Sequence, residues 1–119
     1  MASIDVPEPD HDGELTFWRG AIGQSMTQLK QHPEYHAGQL HGQDAWLLIQ
    51  RLGSGPARVH LDIHTDDLDA EVSRLEKLGA QRVEQVHDWW IMRDPAGLVF
   101  CVVPDPPGEL TAANSQRWD

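Results

Sequence analysis

Apolar residues recur along this chain with two spacings, one alternating and one close to the helical repeat. Residues 2–6 alternate as a short strand, stopped by Pro7, Pro9 and the acids around them. Across residues 14–22, Leu15, Trp18 and Ile22 recur at helical spacing beside Phe17. Asp12 is available as an N-cap and Gly23 follows the last apolar position, so a short amphipathic helix is predicted. Residues 26–31, 35–40 and 45–52 read as three strands. They are separated by His32-Pro33 and by His41-Gly42-Gln43-Asp44, the latter a plausible hairpin turn. Gly53-Ser54-Gly55-Pro56 then breaks the pattern.

After that break the order begins again. Residues 58–64 place Val59, Leu61 and Ile63 on one face and His60, Asp62 and His64 on the other, as a strand does. Asp66, Asp67, Asp69 and Glu71 crowd the start of the next segment and Lys77 stands near its end. Leu68, Val72, Leu75 and Leu78 share a face before Gly79, so charge, cap and period agree on a second helix. Strands are predicted over 82–86, 89–92 and 98–103, with Asp94-Pro95-Ala96-Gly97 as a turn before the last. From Pro104 the chain turns proline-rich and polar, a surface tail. The predicted order is strand, helix and three strands, written twice: an α+β chain of two βαβββ units. The spacings from Asp10 to Gly23 and from Asp66 to Gly79 match, which suggests duplication.

Composition narrows the partners. At 119 residues, with 39% hydrophobic and 24% charged positions, the chain can bury roughly two-thirds of its extended surface, enough for a core without staples. No apolar run approaches the length of a membrane span. Nine basic against 19 acidic residues leave a net charge of -10, a field that repels nucleic-acid backbones and anionic lipid alike. A single cysteine, Cys101, and an acidic opening segment fit a cytoplasmic setting. The sequence carries no phosphate-binding Gly-rich loop, no His-Glu-x-x-His, no Gly-x-Ser-x-Gly and no paired-cysteine zinc motif.

Certain words within this frame carry a resemblance. In the first half, Asp10 is followed by Phe17-Trp18 and then Ala21-Ile22-Gly23. In the second, His60-Leu61-Asp62-Ile63 leads to Asp66-Asp67, then Leu78-Gly79-Ala80, then Asp94-Pro95-Ala96-Gly97 and Phe100-Cys101-Val102-Val103. The pattern resembles the vicinal-oxygen-chelate superfamily of glyoxalase I, extradiol dioxygenases and bleomycin-resistance proteins, and is closest to its glyoxalase-like branch. The resemblance covers one domain over residues 1–103, with units at 1–52 and 58–103 and the tail at 104–119. It implies curved mixed sheets, each with a helix on its convex side, enclosing a small-molecule pocket.

In metal-dependent relatives, side chains from the first and last strand of each unit hold the ion. By that resemblance the four positions here are Ser3, Gln50, His60 and Cys101, of which His60 matches the family's ligand types. Of these, His60, Gln50 and Cys101 are the metal-ligand candidates, since zinc accepts imidazole nitrogen, thiolate and occasionally amide oxygen. The carboxylates usual in the family are missing, so binding without a metal is the expected state. Asp62 beside His60 suggests an oriented general base, a catalytic pair; a polar pocket wall is the plainer reading. His60 and His64 lie roughly 13 Å apart along a strand, too far to share one ion. Of Trp89 and Trp90 one faces the pocket, and Trp90 is taken as the ligand contact. Phe17, Trp18, Leu75 and Leu78 are read as helix-to-sheet packing, and Cys101 as a small apolar filler or a thiol near His60.

Two functions follow as expectations. One is a glyoxalase-like protein that binds or sequesters an apolar or aromatic compound through Ser3, Gln50, His60, Asp62, Trp90 and Cys101. The other is a lyase, isomerase or dioxygenase acting on a small oxygenated substrate, with a divalent ion or without one. A homodimer is the expected assembly, because exposed sheet edges gain from pairing.

Overall fold

A computed structural model of the chain describes residues 2–39, 46–106, 108–112, 114, 115, 117 and 118. The elements run β1 (Ala2–Pro7), α1 (Glu8–Ile22), β2 (Thr27–Gln28), β3 (Tyr35–Gln39), β4 (Trp46–Leu52), β5 (Arg58–Thr65), α2 (Leu68–Lys77), β6 (Gln81–Val86), β7 (Trp89–Arg93) and β8 (Val99–Pro104). The expected doubling of strand, helix and three strands is present. The chain clusters into two compact units, residues 1–60 and 61–119, and the division falls within β5. The expected hairpin turn at 41–44 lies outside the described residues.

In the first unit the strands are ordered β2-β3-β4-β1, with β1 parallel to β4 and β3 antiparallel to it. Alternation along β1 and β4 sorts their side chains. Val6, Leu47 and Ile49 join Leu15 of α1 and Met26 in a buried cluster, with Ala2, Ile4, Trp18 and Ile22 packed against it. Ser3 and Asp5 therefore face the other way, in register with Leu48 and Gln50.

Helix α1 begins at Glu8, not near residue 14, and Asp12 lies inside it instead of capping it. The physical reason is the position of the prolines. Pro9 sits in the first turn, where its missing N–H costs nothing, and Glu8 and Asp10 favour the positive end of the helix dipole. The helix ends as expected: Gly23 adopts φ 67° and its N–H donates to the Arg19 carbonyl. Extending the helix backwards carries its inner stripe of Leu15, Trp18 and Ile22 one turn further, onto His11, which is 1% exposed. Phe17 is 62% exposed and does not pack on the sheet; it meets Trp18 edge to face at 5.2 Å. Strand β2 is two residues long instead of six, because Tyr35 N–H bonds back to the His32 carbonyl and closes a turn around Pro33.

The second unit orders its strands β5-β8-β7-β6, with β5 parallel to β8 and the other pairs antiparallel. Val72 of α2 packs with Met92 and Val102, and Leu68, Leu75, Ala80, Trp90 and Phe100 close around them. Asp67 caps α2 through its side chain, accepting from the Ala70 N–H at 3.1 Å. Leu78 is 67% exposed, since the helix ends before it and Gly79 turns the chain at φ 111°. The outer strand β6 carries a bulge between Arg82 and Glu84 and is exposed over Gln81–Gln85. A bulge and charges blunt an edge, so β6 is poorly suited to pair with another strand.

Beyond Pro104 the described residues form no helix or strand, yet the segment is not detached from the unit. Asp105 N–H donates to the Thr65 carbonyl at 2.7 Å, its carboxylate holds His64 Nδ1 at 2.7 Å, and the Trp118 ring lies 4.2 Å from the Arg74 guanidinium.

Candidate functional site

The face of β1 turned away from α1 is polar, and its polar groups are buried. Ser3 is fully buried and Asp5 is 2% exposed. A carboxylate so far from water needs donors on both oxygens, and this one has them. Ser3 Oγ donates to Oδ1 at 2.9 Å, His60 Nδ1 lies 2.7 Å from Oδ2, and Arg58 Nε stands 3.6 Å from the same oxygen. Ser3 and Asp5 are two apart on β1, and Arg58 and His60 are two apart on β5, so strand alternation aims each pair to one side.

The arrangement defines the state of His60. A carboxylate only accepts, so the Nδ1 that meets Asp5 carries the proton and Nε2 is the basic nitrogen of the ring. The imidazole is fixed in tautomer and direction by a buried anion, as a proton-accepting histidine or a metal-binding histidine requires. Asp5, the residue that achieves this, was not among the sequence candidates. Its signal was present in the alternation of β1, which puts Ser3 and Asp5 on one face, but a carboxylate on so short a polar and apolar alternation reads as a solvent-facing position.

The other candidates are placed as follows. Gln50 is half-buried on β4, in register with Asp5 and on the same face. Ser3 is committed to Asp5. Asp62 follows His60 by two on β5 and shares its face. Within the second unit Asp62 is in register with Cys101 of β8, and its carboxylate and the Cys101 thiol lie within 4.8 Å of each other. Cys101 is buried, on the side of β8 opposite Val102. Trp90 is a correction to the expected ligand contact: it stands in register with Val102 and joins the cluster beneath α2, with the Arg82 guanidinium 5.0 Å from its ring. The neighbouring Trp89 points to the opposite face by alternation. His64 is held by Asp105, and its Nε2 is buried without a hydrogen-bond partner among the described residues.

A second polar group lies beneath α1. His11 and His36 place their ring centroids 5.1 Å apart, and Arg51 on β4 pairs with Glu8 at 3.4 Å. Burial first, then the charges of His11, Arg19 and Arg51, hold the His36 imidazole below its ordinary 6.5, with Asp12 acting weakly the other way.

Two parallel-and-antiparallel βαβββ units with buried polar groups on the sheet faces away from the helices define the glyoxalase/bleomycin-resistance class of the vicinal-oxygen-chelate superfamily. A family model for the glyoxalase-like domain matches residues 1–103, and the chain belongs to that family. Solved structures agree on the fold. Methylmalonyl-CoA epimerase from Mycobacterium tuberculosis is 15% identical over 88% of this chain and 86% of its own, with a TM-score of 0.61. A glyoxalase/bleomycin resistance protein/dioxygenase superfamily member from Vibrio splendidus 12B01 is 12% identical over 88% of this chain and 98% of its own, at 0.54. The 2,2',3-trihydroxybiphenyl 1,2-dioxygenase of Sphingomonas wittichii strain RW1 is 12% identical over 88% of this chain but only 39% of its own, at 0.53. At such identities the likeness is one of fold. A search of the curated proteins found no match.

Proposed function

We propose that this chain binds a small oxygenated compound and acts on it by proton transfer, with His60 as the base. The observation that carries the reading is the 2.7 Å contact between His60 Nδ1 and the buried Asp5 carboxylate. Nε2 takes a proton from a carbon or oxygen acid on the substrate, and Asp5 balances the positive charge that the imidazole gains, without moving. Ser3 and Arg58 hold Asp5 in place during that change of charge. The likeness to methylmalonyl-CoA epimerase is one of fold, so the substrate class is argued from the His60 and Asp5 geometry.

Where a divalent ion takes part, Asp62 and Cys101 of the second unit, whose carboxylate and thiol lie within 4.8 Å of each other, are the residues that would help hold it, and it would supply Lewis-acid polarisation of a substrate oxygen. Of the expected ligands this keeps Cys101 and adds the Asp62 carboxylate. The second reading, sequestration of an apolar or aromatic compound without turnover, draws on Ser3: at the position where relatives carry a strong ligand, its hydroxyl is buried and donates to Asp5.

Proton exchange in heavy water tests the proposal. A panel of 2-oxo acids, acyl thioesters and phenols is followed by proton NMR for loss of the acidic C–H signal, with a thermal-shift measurement of each compound alongside. Turnover should fall by about 10²–10⁴-fold in His60→Ala. A compound that raises the melting temperature yet never exchanges, in wild type as in His60→Ala, would establish the binder instead.

A further inference from the structure

Arg58 and His60 are two apart on β5, and both turn to one carboxylate oxygen: His60 Nδ1 meets Asp5 Oδ2 at 2.7 Å, and Arg58 Nε stands 3.6 Å from it. The first contact is a hydrogen bond and the second is beyond one, so Asp5 pairs with the Arg58 charge without using its N–H donors. Asp5 is 2% exposed, whereas the Arg58 side chain is 56% exposed. The acid is the buried half of this pair and the guanidinium is the open half, carried roughly 7 Å along the strand from the base. The turn before β5 borders it. Gly55 adopts φ 91°, and a Cβ added there would meet Arg58 Nη1 at 3.2 Å. Gly53-Ser54-Gly55-Pro56 therefore lies close against the guanidinium, at a position where both the backbone and the space favour glycine.

We propose that Arg58 binds the carboxylate of the substrate, and that the compound His60 acts on is a short 2-oxo acid. This assignment rests on His60 as the base. The C–H bond beside the carbonyl breaks, its proton goes to Nε2, and its electron pair moves onto the carbonyl oxygen as an enolate. Return of a proton from Nε2 to carbon reverses both changes. Two charges thus appear together, an imidazolium and an enolate. Asp5 faces the first, and Arg58, anchored beside it, is the cation that meets the second.

The shape of the side chain selects the acid. A guanidinium presents its N–H groups as a planar fork that matches two oxygens side by side, as the carboxylate and the neighbouring enolate oxygen of a 2-oxo acid are. A phenol or a simple acyl thioester offers that fork one oxygen at a time. With Asp5 and Arg58 opposite in sign and His60 neutral before reaction, the three groups carry no net charge that would repel an anion, although the chain as a whole carries -10.

Oxalate, a planar dianion that copies the enolate of a 2-oxo acid, tests this without turnover. Calorimetry on the full chain compares it with the uncharged N,N′-dimethyloxamide. Oxalate should bind once per chain and the diamide should not. Arg58→Gln should weaken oxalate by about tenfold or more, and Arg58→Lys, which keeps the charge but not the fork, by less. Nitrogen-15 NMR of His60 in Arg58→Gln separates contact from support: the ring should stay in its Nδ1–H form, because Asp5 still accepts from it. Failure of oxalate to bind the wild type would overturn the proposal, as would equal affinity in Arg58→Gln or a lost affinity that comes with a mixture of His60 tautomers. The two readings fail separately. Arg58-dependent oxalate binding with no exchange of any 2-oxo acid would remove His60 as the base, whereas His60-dependent exchange of phenols or thioesters alone would keep the base and remove the 2-oxo acid.

Discussion

His60 and His36 show how differently one side chain behaves in two settings. The first is held by a buried carboxylate; the second sits among cations and a second imidazole. For His36 the lowered titration has a consequence for stability. The unfolded chain takes up a proton near pH 6.5 while the folded chain resists it, so the stability is fully present above that pH and is lost as pH falls below it. Urea midpoints should drop between pH 7.5 and pH 5.5, and His36→Gln should flatten that drop. For His60 the prediction concerns tautomer. Asp5→Asn removes the charged acceptor and frees Nδ1 from its fixed protonation, so nitrogen-15 NMR should show a mixture of tautomers where wild type shows the Nδ1–H form. The same variant should lower any His60-dependent proton exchange by a factor of about 10² or more.

Among the elements, α2 was the most legible and α1 the least. Asp67, the acids of the first turn and Gly79 state the limits of α2 in purely local terms. Asp67→Ala should therefore cost about 1 kcal/mol in chemical denaturation, the usual worth of a side-chain cap. Helix α1 lacks such a cap, and its start differs from the local expectation because prolines and acids before a helix look like a break until the chain is known to turn there. Its inner stripe also hid His11, since an imidazole in register with Leu15 does not register as apolar. The place of Trp90 is hidden for a related reason: two consecutive aromatic residues are equivalent by composition, and only the register with Val102 decides which one goes under the helix. Met92, fully buried in that same cluster, should cost about 2–5 kcal/mol on truncation to Ala.

At the scale of the molecule, the segment after Pro104 does more than trail. Asp105 secures His64 and Trp118 packs on Arg74, so a chain ending at residue 104 should melt lower by roughly 4–8 °C, the shift that about 1 kcal/mol produces in a domain of this size. The order of elements, the α+β class and the doubling of the βαβββ unit were determined by the sequence, because periodicity, capping and turn chemistry act over a few neighbouring residues. The partnership of Asp5 with His60, the placing of Trp90 in the core, the support of His64 by Asp105 and the meeting of His11 with His36 were decided only in three dimensions. Each joins residues far apart in the chain or depends on register between strands, and no local preference encodes which distant group a buried polar atom will find.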